Sequence, residues 1–215
     1  MPVKVEDGTR AIEIEAPYSV WRFGVSVEEY EAVASKAEGL KVELIDGVMV
    51  VHSPEKTRHE RLFKFLLIYL DRYVAPRGLG EVLGSMETVH LSECRRVKPD
   101  LLFVSRERLF IITEDHVEGA PDLVVEIVSE STRHEDLGVK REIYREAGVG
   151  EIWLVDDERR RVIVDRRREG GYEEEVLTSG ELRSKVVQGL RFKVDWLWRE
   201  PLPDPLECLR ELGLE

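Results

Sequence analysis

Residues 122–128 read DLVVEIV, and this short stretch decides the fold class. An apolar run of this length is typical of a central strand in a sheet. Glu126 interrupts the run with one carboxylate. Because a charged group is costly to bury without a partner, we expect an oppositely charged side chain next to Glu126 in the core.

A lysine on the apolar side of a predicted helix is the candidate partner. Residues 137–147 read LGVKREIYREA, and at about 100° per residue the arginines and glutamates fall on one side of the helix. Lys140 falls on the other side, within an arc that comprises Leu137, Val139, Ile143, Tyr144 and Ala147. Two simpler interpretations stay open, because Lys140 can pair with Asp136 one turn earlier or form a purely structural pair with Glu126.

Asp100 adds a second carboxylate at the start of another predicted strand. It follows Pro99 and precedes an apolar run over residues 101–104. On its own an aspartate at this place is typical of a turn, but three charged residues in core elements predict a shared cluster. Asp, Glu and Lys together indicate a site that hydrolyses phosphodiester bonds with a divalent metal ion.

Each charged residue has a role in this hypothesis. Asp100 and Glu126 would bind Mg²⁺ or Mn²⁺, with the backbone carbonyl of Ile127 as a third ligand. Lys140 would orient the attacking water or help to deprotonate it, and would offset the charge at phosphorus. Glu43, near the end of an earlier strand, would add a carboxylate through a metal-bound water.

Three further residues are secondary candidates. His59 lies on the apolar face of a predicted helix and can line the site, although a hydrogen-bonded core histidine fits the same pattern. Tyr144 can touch a phosphate, position Lys140 or pack in the core. Asp122 shares strand parity with Glu126 and so faces the same side, or it only shapes the entry to the strand.

Histidine and cysteine usage does not indicate a zinc site. Metal-ligand spacing is missing among four histidines, which are His52, His90, His116 and His134. The two cysteines, Cys94 and Cys208, are isolated, as is typical of a protein from a reducing cytoplasm.

Length and composition predict one globular domain over residues 1–215, since 42% of the 215 residues are hydrophobic and 35% are charged. We expect its core over about residues 26–165, and a hairpin and tail extension over 166–215.

No run approaches the roughly 20 apolar residues of a membrane span, and the N-terminus has no signal-peptide pattern. These features predict a cytoplasmic protein without membrane contact. The lack of Asn and the single Gln suggest a thermophilic source.

Charge is unevenly distributed along the chain. The net charge of -12 counts against a purely electrostatic nucleic-acid binder. One short stretch nevertheless carries six arginines, Arg159, Arg160, Arg161, Arg166, Arg167 and Arg168. They form either a solvated, ion-paired hairpin or a local basic rim on an acidic protein.

Local signals predict the elements before this stretch. Ser26 and Glu29 form a capping box that opens a short helix ending at Gly39. Residues 42–51 read VELIDGVMVV, and the Asp46-Gly47 pair predicts a hairpin turn between two strands.

Other elements follow from the same signals. The longest helix is expected to begin at Ser53 and to run to about Val74. Trp196 and Trp198 lie in a tail that packs across the domain or against a partner. A homodimer is plausible for an enzyme that cuts both strands of a duplex, and this tail would offer apolar contact surface.

Taken in order, several motifs resemble the Uma-two family, whose members are regarded as endonucleases with the restriction-endonuclease-like PD-(D/E)XK fold. The motifs are Glu43-Leu44-Ile45-Asp46-Gly47, Ser53-Pro54, His59, Lys98-Pro99-Asp100, residues 120–127, Ser129, Ser131-Thr132, Asp136, Lys140, Tyr144, Gly148-Val149 and Trp153-Leu154-Val155-Asp156. The resemblance implies an α/β fold, with a mixed β-sheet flanked by helices and additional antiparallel hairpins. It also implies divalent-metal-dependent cleavage of double-stranded DNA.

The resemblance assigns the same residues as the chemical argument. Asp100 and Glu126 match the acidic pair of the family, and Glu43 matches its early acidic residue. Val128 stands where the usual pattern has a lysine, two positions after Glu126. In this family the lysine lies in the following helix, which is the position of Lys140.

Two other classes of function stay open. The chain can be a non-catalytic binding or regulatory module that keeps the carboxylate–lysine cluster as a structural network. It can also be a metal-dependent phosphodiesterase that acts on RNA or a nucleotide, which fits an acidic protein better than duplex DNA does.

Overall fold

The computed structural model describes residues 3–6, 11–14, 20–37, 39–52, 54–84, 86–130 and 133–214. Ser53 and the Ser131-Thr132 pair, which the sequence argument used, lie outside the described residues. None of the described helices is long and apolar enough to span a membrane.

Strands outnumber helices in the described part of the chain. In chain order they are β1 (Val3–Glu6), β2 (Ala11–Ile14), β3 (Val20–Phe23), β4 (Val42–Ile45), β5 (Val48–Val51), β6 (Gly80–Gly84), β7 (Val89–Ser92), β8 (Arg95–Val97), β9 (Leu101–Ser105), β10 (Val117–Glu118), β11 (Leu123–Val128), β12 (Glu151–Asp156), β13 (Arg161–Arg168), β14 (Gly171–Leu177), β15 (Glu181–Arg183) and β16 (Arg191–Lys193).

Helices connect and cover these strands. The α-helices are α1 (Val27–Ala34), α2 (Thr57–Val74), α3 (Arg141–Ala147) and α4 (Pro205–Glu211). Short 3₁₀ turns cover Ala75–Arg77, Arg106–Ile111 and Val194–Trp198. A π-helical turn, Glu135–Lys140, runs directly into α3.

Two six-stranded sheets organise the fold. The first sheet has the order β10-β7-β8-β4-β5-β3, and the second has the order β14-β13-β12-β11-β9-β6. Within the second sheet, β11 pairs parallel with β12 and antiparallel with β9, so the sheet is mixed as the sequence predicted. Two antiparallel pairs, β1-β2 and β15-β16, are additional to the main sheets.

The central strands of the second sheet, β9, β11 and β12, are buried on both faces. Val125 of β11 packs in one apolar cluster with Leu66 of α2 and Trp196 of the C-terminal segment. Val124 of β11 packs on the opposite face with Ile143 of α3, in a cluster that also includes residues of the first sheet. Because side chains alternate along a strand, Glu126 shares the face of Val124, toward α3 and the first sheet.

Several local predictions are confirmed. Ser26 and Glu29 form both hydrogen bonds of a capping box at α1, although the helix ends at Ala34 and not at Gly39. Strands β4 and β5 pair antiparallel about a turn in which Asp46 and Gly47 have φ of 50° and 79°. The long helix ends at Val74 as predicted, but it begins at Thr57, four residues after the predicted start.

The lysine-bearing segment differs in one respect from the helical-wheel prediction. Its first part is a π-helical turn, and this wider turn changes which side chains face the core. Val139, expected within the apolar arc, is 38% exposed, whereas Lys140, Ile143 and Tyr144 are buried as predicted.

Three of the six clustered arginines form ion pairs, and a fourth, Arg167, donates to the backbone carbonyl of Gly148 at 3.0 Å. Arg161 pairs with Asp156, Arg166 pairs with Glu151, and Arg168 pairs with Glu173. These contacts support the ion-paired hairpin over the basic rim.

The tryptophans of the tail pack against their own chain. Trp196 is fully buried, beside Tyr69 and Phe192. Trp198 donates through its indole N–H to the carbonyl of Thr178 at 2.9 Å. The expectation that Trp196 offers a surface for a partner is therefore wrong.

Replacement of Asp165 by Asn tests another ion-paired group of β13, in which two arginines share one buried carboxylate. Asp165 is fully buried and accepts paired hydrogen bonds of 2.7–2.9 Å from Arg141 and Arg145. Because Asp165→Asn leaves two arginines without their shared carboxylate, we expect the free energy of unfolding to fall by about 3 kcal/mol in urea titrations. Glu173→Gln, at the exposed pair with Arg168, is the matched control and should cost under about 1 kcal/mol. Equal losses for the two variants would contradict this account.

Candidate active site

Strand pairing brings the two predicted metal ligands together. In the antiparallel β9-β11 pair, Leu101 lies opposite Val125, which places Asp100 beside Glu126. The backbone amide of Asp100 donates to Glu126 Oε2 at 3.3 Å. Both carboxylates are buried, with exposures of 3% and 1%. A turn aspartate and a strand glutamate, 26 residues apart in sequence, therefore form one acidic centre.

Glu43 reaches this centre from the first sheet. It lies on β4 and is fully buried. The backbone amide of Lys98 donates to its Oε1 at 2.6 Å, and the Nε2 atom of His52 lies 2.6 Å from its Oε2. Lys98 is two residues before Asp100, so the hydrogen bond from Lys98 to Glu43 connects the segment that leads into β9 with the first sheet.

Lys140 joins the carboxylates of the two sheets. Its Nζ lies 2.7 Å from Glu126 Oε1 and 3.0 Å from Glu43 Oε1. Asp136, the local partner that the sequence also allowed, is more distant at 4.0 Å. The helical pattern therefore identified both the buried lysine and its carboxylate partner.

The secondary candidates divide into two that belong to the cluster and one that does not. The hydroxyl of Tyr144 donates to Glu126 Oε1 at 2.6 Å, and His59 Nε2 lies 3.1 Å from Asp100 Oδ2. Asp122 instead accepts hydrogen bonds of 2.7 Å from Arg108 and from the Ser105 amide. It shares the strand face of Glu126, but four residues of strand separate them by about 13 Å.

Ile127 contributes to the site through its amide. Its N–H donates to Asp100 Oδ2 at 2.8 Å, which fixes the orientation of that carboxylate. The role of the Ile127 carbonyl as a metal ligand stays a prediction.

Three residues of the site were not identified from the sequence. Lys41 Nζ lies 2.9 Å from Asp100 Oδ1, His52 contacts Glu43, and Glu55 Oε2 lies 3.8 Å from His59 Nε2. Lys41 lies two residues before Glu43, so both side chains face the same side of the extended chain, and this spacing was a usable signal for Lys41. For His52 and Glu55 we find no local signal, because polar residues are common between a strand and a helix.

Electrostatics keep the cluster ionised. Burial would raise the pKa of Asp100, but the charge of Lys41 and the hydrogen bond with His59 hold that pKa well below its usual range. Burial acts in the same way on Glu43, and the charges of Lys140 and His52 outweigh it and lower the pKa.

The lysine of the cluster is a cation at neutral pH. Burial favours the neutral amine, but Glu126 and Glu43 raise the pKa of Lys140 well above its usual value. Lys140 is therefore suited to orienting a water and offsetting negative charge. Of the two roles that the sequence suggested, the geometry favours this one over proton abstraction.

A cavity of about 170 Å³ opens at the cluster. Its lining includes Lys41, His52, Glu55, His59 and Asp100. Asp100 is thus where the buried network meets open space. A larger cavity of about 680 Å³ lies between α2 and the C-terminal segment, and a different set of residues lines it, including Arg61, Lys64 and Pro203.

The two carboxylates fit a hard divalent cation, with Asp100 at the cavity and Glu126 buried directly behind it. Among the described residues, Asp100 Oδ1 and Glu126 Oε2 each accept a single hydrogen bond, which leaves a lone pair on each oxygen. Two carboxylates with waters in the remaining positions is the arrangement in which Mg²⁺ is usually bound. Lys41 has to leave Asp100 Oδ1 for such an ion to approach fully.

Comparisons with known proteins agree with this geometry. The model of the Uma2 family, described as "Putative restriction endonuclease", matches residues 27–195. No curated protein matches the chain. A solved structure described as a "putative nuclease belonging to DUF820" from Anabaena variabilis ATCC 29413 superimposes with a TM-score of 0.63 at 16% sequence identity. The match covers 73% of this chain and 89% of that one, and shows the predicted restriction-endonuclease-like fold.

The pair of His59 and Asp100 predicts a pH-dependent stability. Burial alone would lower the pKa of His59, but Asp100 and Glu55 raise it above its ordinary value of 6.5. A raised pKa means that the protonated histidine stabilises the fold fully below pH 6.5 and progressively less as the pH rises through the folded-state pKa.

In chelator-treated protein, His59→Gln should therefore lower the free energy of unfolding by about 2 kcal/mol at pH 5.5 and by clearly less at pH 9. Urea titrations at the two pH values measure this difference. His134→Gln, at an exposed histidine, is the control and should change little at either pH. The same loss for His59→Gln at both pH values would rule out a charged His59.

Proposed function

Because this chain belongs to the Uma2 family of restriction-endonuclease-like proteins, we propose that it is a divalent-metal-dependent endonuclease that hydrolyses phosphodiester bonds of double-stranded DNA. One observation carries the proposal. Asp100, Glu126, Glu43 and Lys140 come from four separate elements and meet within hydrogen-bond distance in one buried cluster. A cavity opens on this cluster at Asp100.

Asp100 and Glu126 would hold Mg²⁺ or Mn²⁺, with the Ile127 carbonyl as a third ligand. When bound, the cation would lower the pKa of a coordinated water and neutralise charge on the phosphate. The hydrogen bonds to Asp100 from the Ile127 amide and His59 fix the carboxylate before any ligand arrives. Preorganisation of this kind avoids reorganisation during the reaction.

Lys140 acts on the water and the phosphate as a fixed positive charge. Glu43 and Glu126 hold its ammonium group, and Tyr144 shares the Glu126 oxygen that Lys140 contacts. Lys41 lines the cavity and keeps 15% of its side chain exposed, so it is placed to pair with a phosphate oxygen once it leaves Asp100. Together the two lysines offset charge that builds up on phosphorus.

Contacts to a duplex need cations outside the cluster. Arg61 and Lys64 lie on exposed positions of α2, the helix that also carries His59. Phosphate contacts by such side chains position a nucleic acid without reading its sequence. A homodimer, with two active sites for two strands, remains part of the proposal, with an interface that does not use Trp196.

A metal titration tests the ligands directly. An ion that binds only the native state raises the melting temperature with its concentration. We expect metal-stripped wild type to show a saturable rise with Mg²⁺ and with Mn²⁺, and Glu126→Gln to lose it, because a neutral amide replaces a ligand charge. Glu173→Gln, at an exposed glutamate, should respond like wild type. A wild-type protein whose melting is unaffected by either ion would argue against the metal site.

Cleavage assays test Lys140. Plasmid DNA incubated with Mg²⁺ at low salt should be cut by wild type and by Lys185→Met, at an exposed lysine, but about 100-fold more slowly by Lys140→Met. Circular dichroism must first show that Lys140→Met is folded, because the change leaves Glu43 and Glu126 without their shared cation. Full activity in folded Lys140→Met would remove this residue from the mechanism.

A second candidate function rests on the pairing of charges within the cluster. Lys140 is shared by Glu43 and Glu126, and Lys41 pairs with Asp100, so each carboxylate has a cationic partner and the cluster can serve as a structural network. If the chain is a non-catalytic binding module, we expect Lys140→Met to destabilise it strongly and metal ions to have no effect on its melting.

A substrate panel of duplex DNA, single-stranded RNA and nucleotides, at low salt, separates the nuclease from an RNA or nucleotide phosphodiesterase.

A further inference from the structure

A second cluster of metal-ligand residues lies at the edge of the first sheet. Strand β10 pairs parallel with β7, and Glu118 lies opposite His90 in this register. His116 precedes Glu118 by two residues and therefore falls on the same face of the extended chain. Val117, between them, is fully buried on the other face. The edge of the sheet thus presents two imidazoles and a carboxylate to one side.

The three side chains converge on one point. His116 Nε2 lies 3.1 Å from Glu118 Oε2, and His90 Nδ1 lies 3.8 Å from the same oxygen. One ligand atom from each of the three residues lies within 4.8 Å of the others. Ligands about 2.1 Å from a tetrahedral zinc ion are about 3.4 Å apart, so these separations already approach what zinc requires.

The two histidine rings stack, with centroids 3.7 Å apart and an angle of 12° between the rings. Because an imidazole nitrogen binds a metal ion in the plane of its ring, one ring has to rotate out of this stack before both can bind the same ion. The side chains of His90 and His116 are 21% and 25% exposed, so this rotation can take place on the solvent side.

We propose that His90, His116 and Glu118 form a binding site for a borderline divalent transition metal of the zinc class, separate from the candidate active site. Two imidazoles and one carboxylate are a recurring ligand set for such ions, with a water or another group in the remaining position. The absence of regular histidine spacing does not count against this site, because strand pairing and not sequence spacing brings His90 to the other two residues.

The chemistry of the two clusters predicts different ions. The active-site cluster offers carboxylate oxygens to a hard cation, whereas this one offers two nitrogens, which favour zinc, cobalt or nickel over magnesium. Arg96, opposite His90 on β8, directs its guanidinium to the backbone carbonyls of Ser92 and Arg95. Its positive charge still acts on His90, since burial and then Arg96 lower the pKa of that ring to about 4.

A bound ion would stabilise the edge of the first sheet that β10 forms. Strand β10 has two residues and pairs with β7 alone among the described strands. Coordination by His90 on β7 and by His116 and Glu118 would cross-link the two strands. The same sheet carries Glu43 on β4, so the metal would steady the sheet that supplies one carboxylate of the active site.

Zinc binding to the full-length protein tests this site. Metal-stripped wild type, Glu118→Gln, His90→Gln and Glu126→Gln are titrated with Zn²⁺ by calorimetry in the presence of millimolar Mg²⁺. We expect wild type and Glu126→Gln each to bind one Zn²⁺ ion per chain with the same affinity. In Glu118→Gln and His90→Gln this affinity should fall at least about 100-fold, since even outer partners of metal ligands contribute 10- to 100-fold. His134→Gln is the histidine control and should keep this equivalent.

Two results would overturn the proposal. One is an equal number and affinity of Zn²⁺ ions in wild type, Glu118→Gln and His90→Gln. The other is loss of the tight equivalent in Glu126→Gln and not in the edge variants, which would place zinc in the active-site cluster. Glu118 is 65% exposed, so Glu118→Gln remains informative even where His90→Gln does not fold.

Discussion

One buried ammonium group is the interaction on which the rest of the site depends. Lys140 Nζ lies 2.7 Å from Glu126 and 3.0 Å from Glu43, and its side chain is 1% exposed. A charge in the interior costs several kcal/mol unless a partner compensates it, so removal of any one of the three groups should destabilise the fold. The ammonium therefore fixes the distance between a strand of each sheet and the turn before α3.

The pairing also resolves a conflict between chemistry and folding. A site that attracts a metal ion needs carboxylates close together, but close carboxylates repel one another and would raise their own pKa values. Lys140 and Lys41 remove that repulsion in the free protein, and they are the groups that can later face a phosphate. The π-helical turn that ends at Lys140 is consistent with this, because such turns are frequent at functional sites.

Much of this site was predictable because buried charge is visible in a sequence. Glu126 interrupts an apolar strand and Lys140 interrupts an apolar helical face, so each pattern by itself indicates a buried partner of opposite charge. Asp122 shows what strand parity cannot give: parity predicts which face of the sheet a side chain lies on, but not how far along the strand it lies from the site. Its partners are Arg108 and Ser105, away from the cluster. His52 and Glu55 were missed because polar residues between a strand and a helix are common, whereas the shared parity of Lys41 and Glu43 was a signal that could have been used.

The sequence by itself determined that Glu126 and Lys140 are buried, where the hairpin of β4 and β5 turns, and which charges need partners. These are local properties, recorded in the periodicity of a few consecutive residues. The tertiary structure alone decided which charges meet: Glu43 with Lys140 across two sheets, His59 with Asp100, and His90 with Glu118 across two paired strands. The reason is physical, because strand register and sheet packing are set by contacts between residues far apart in the chain.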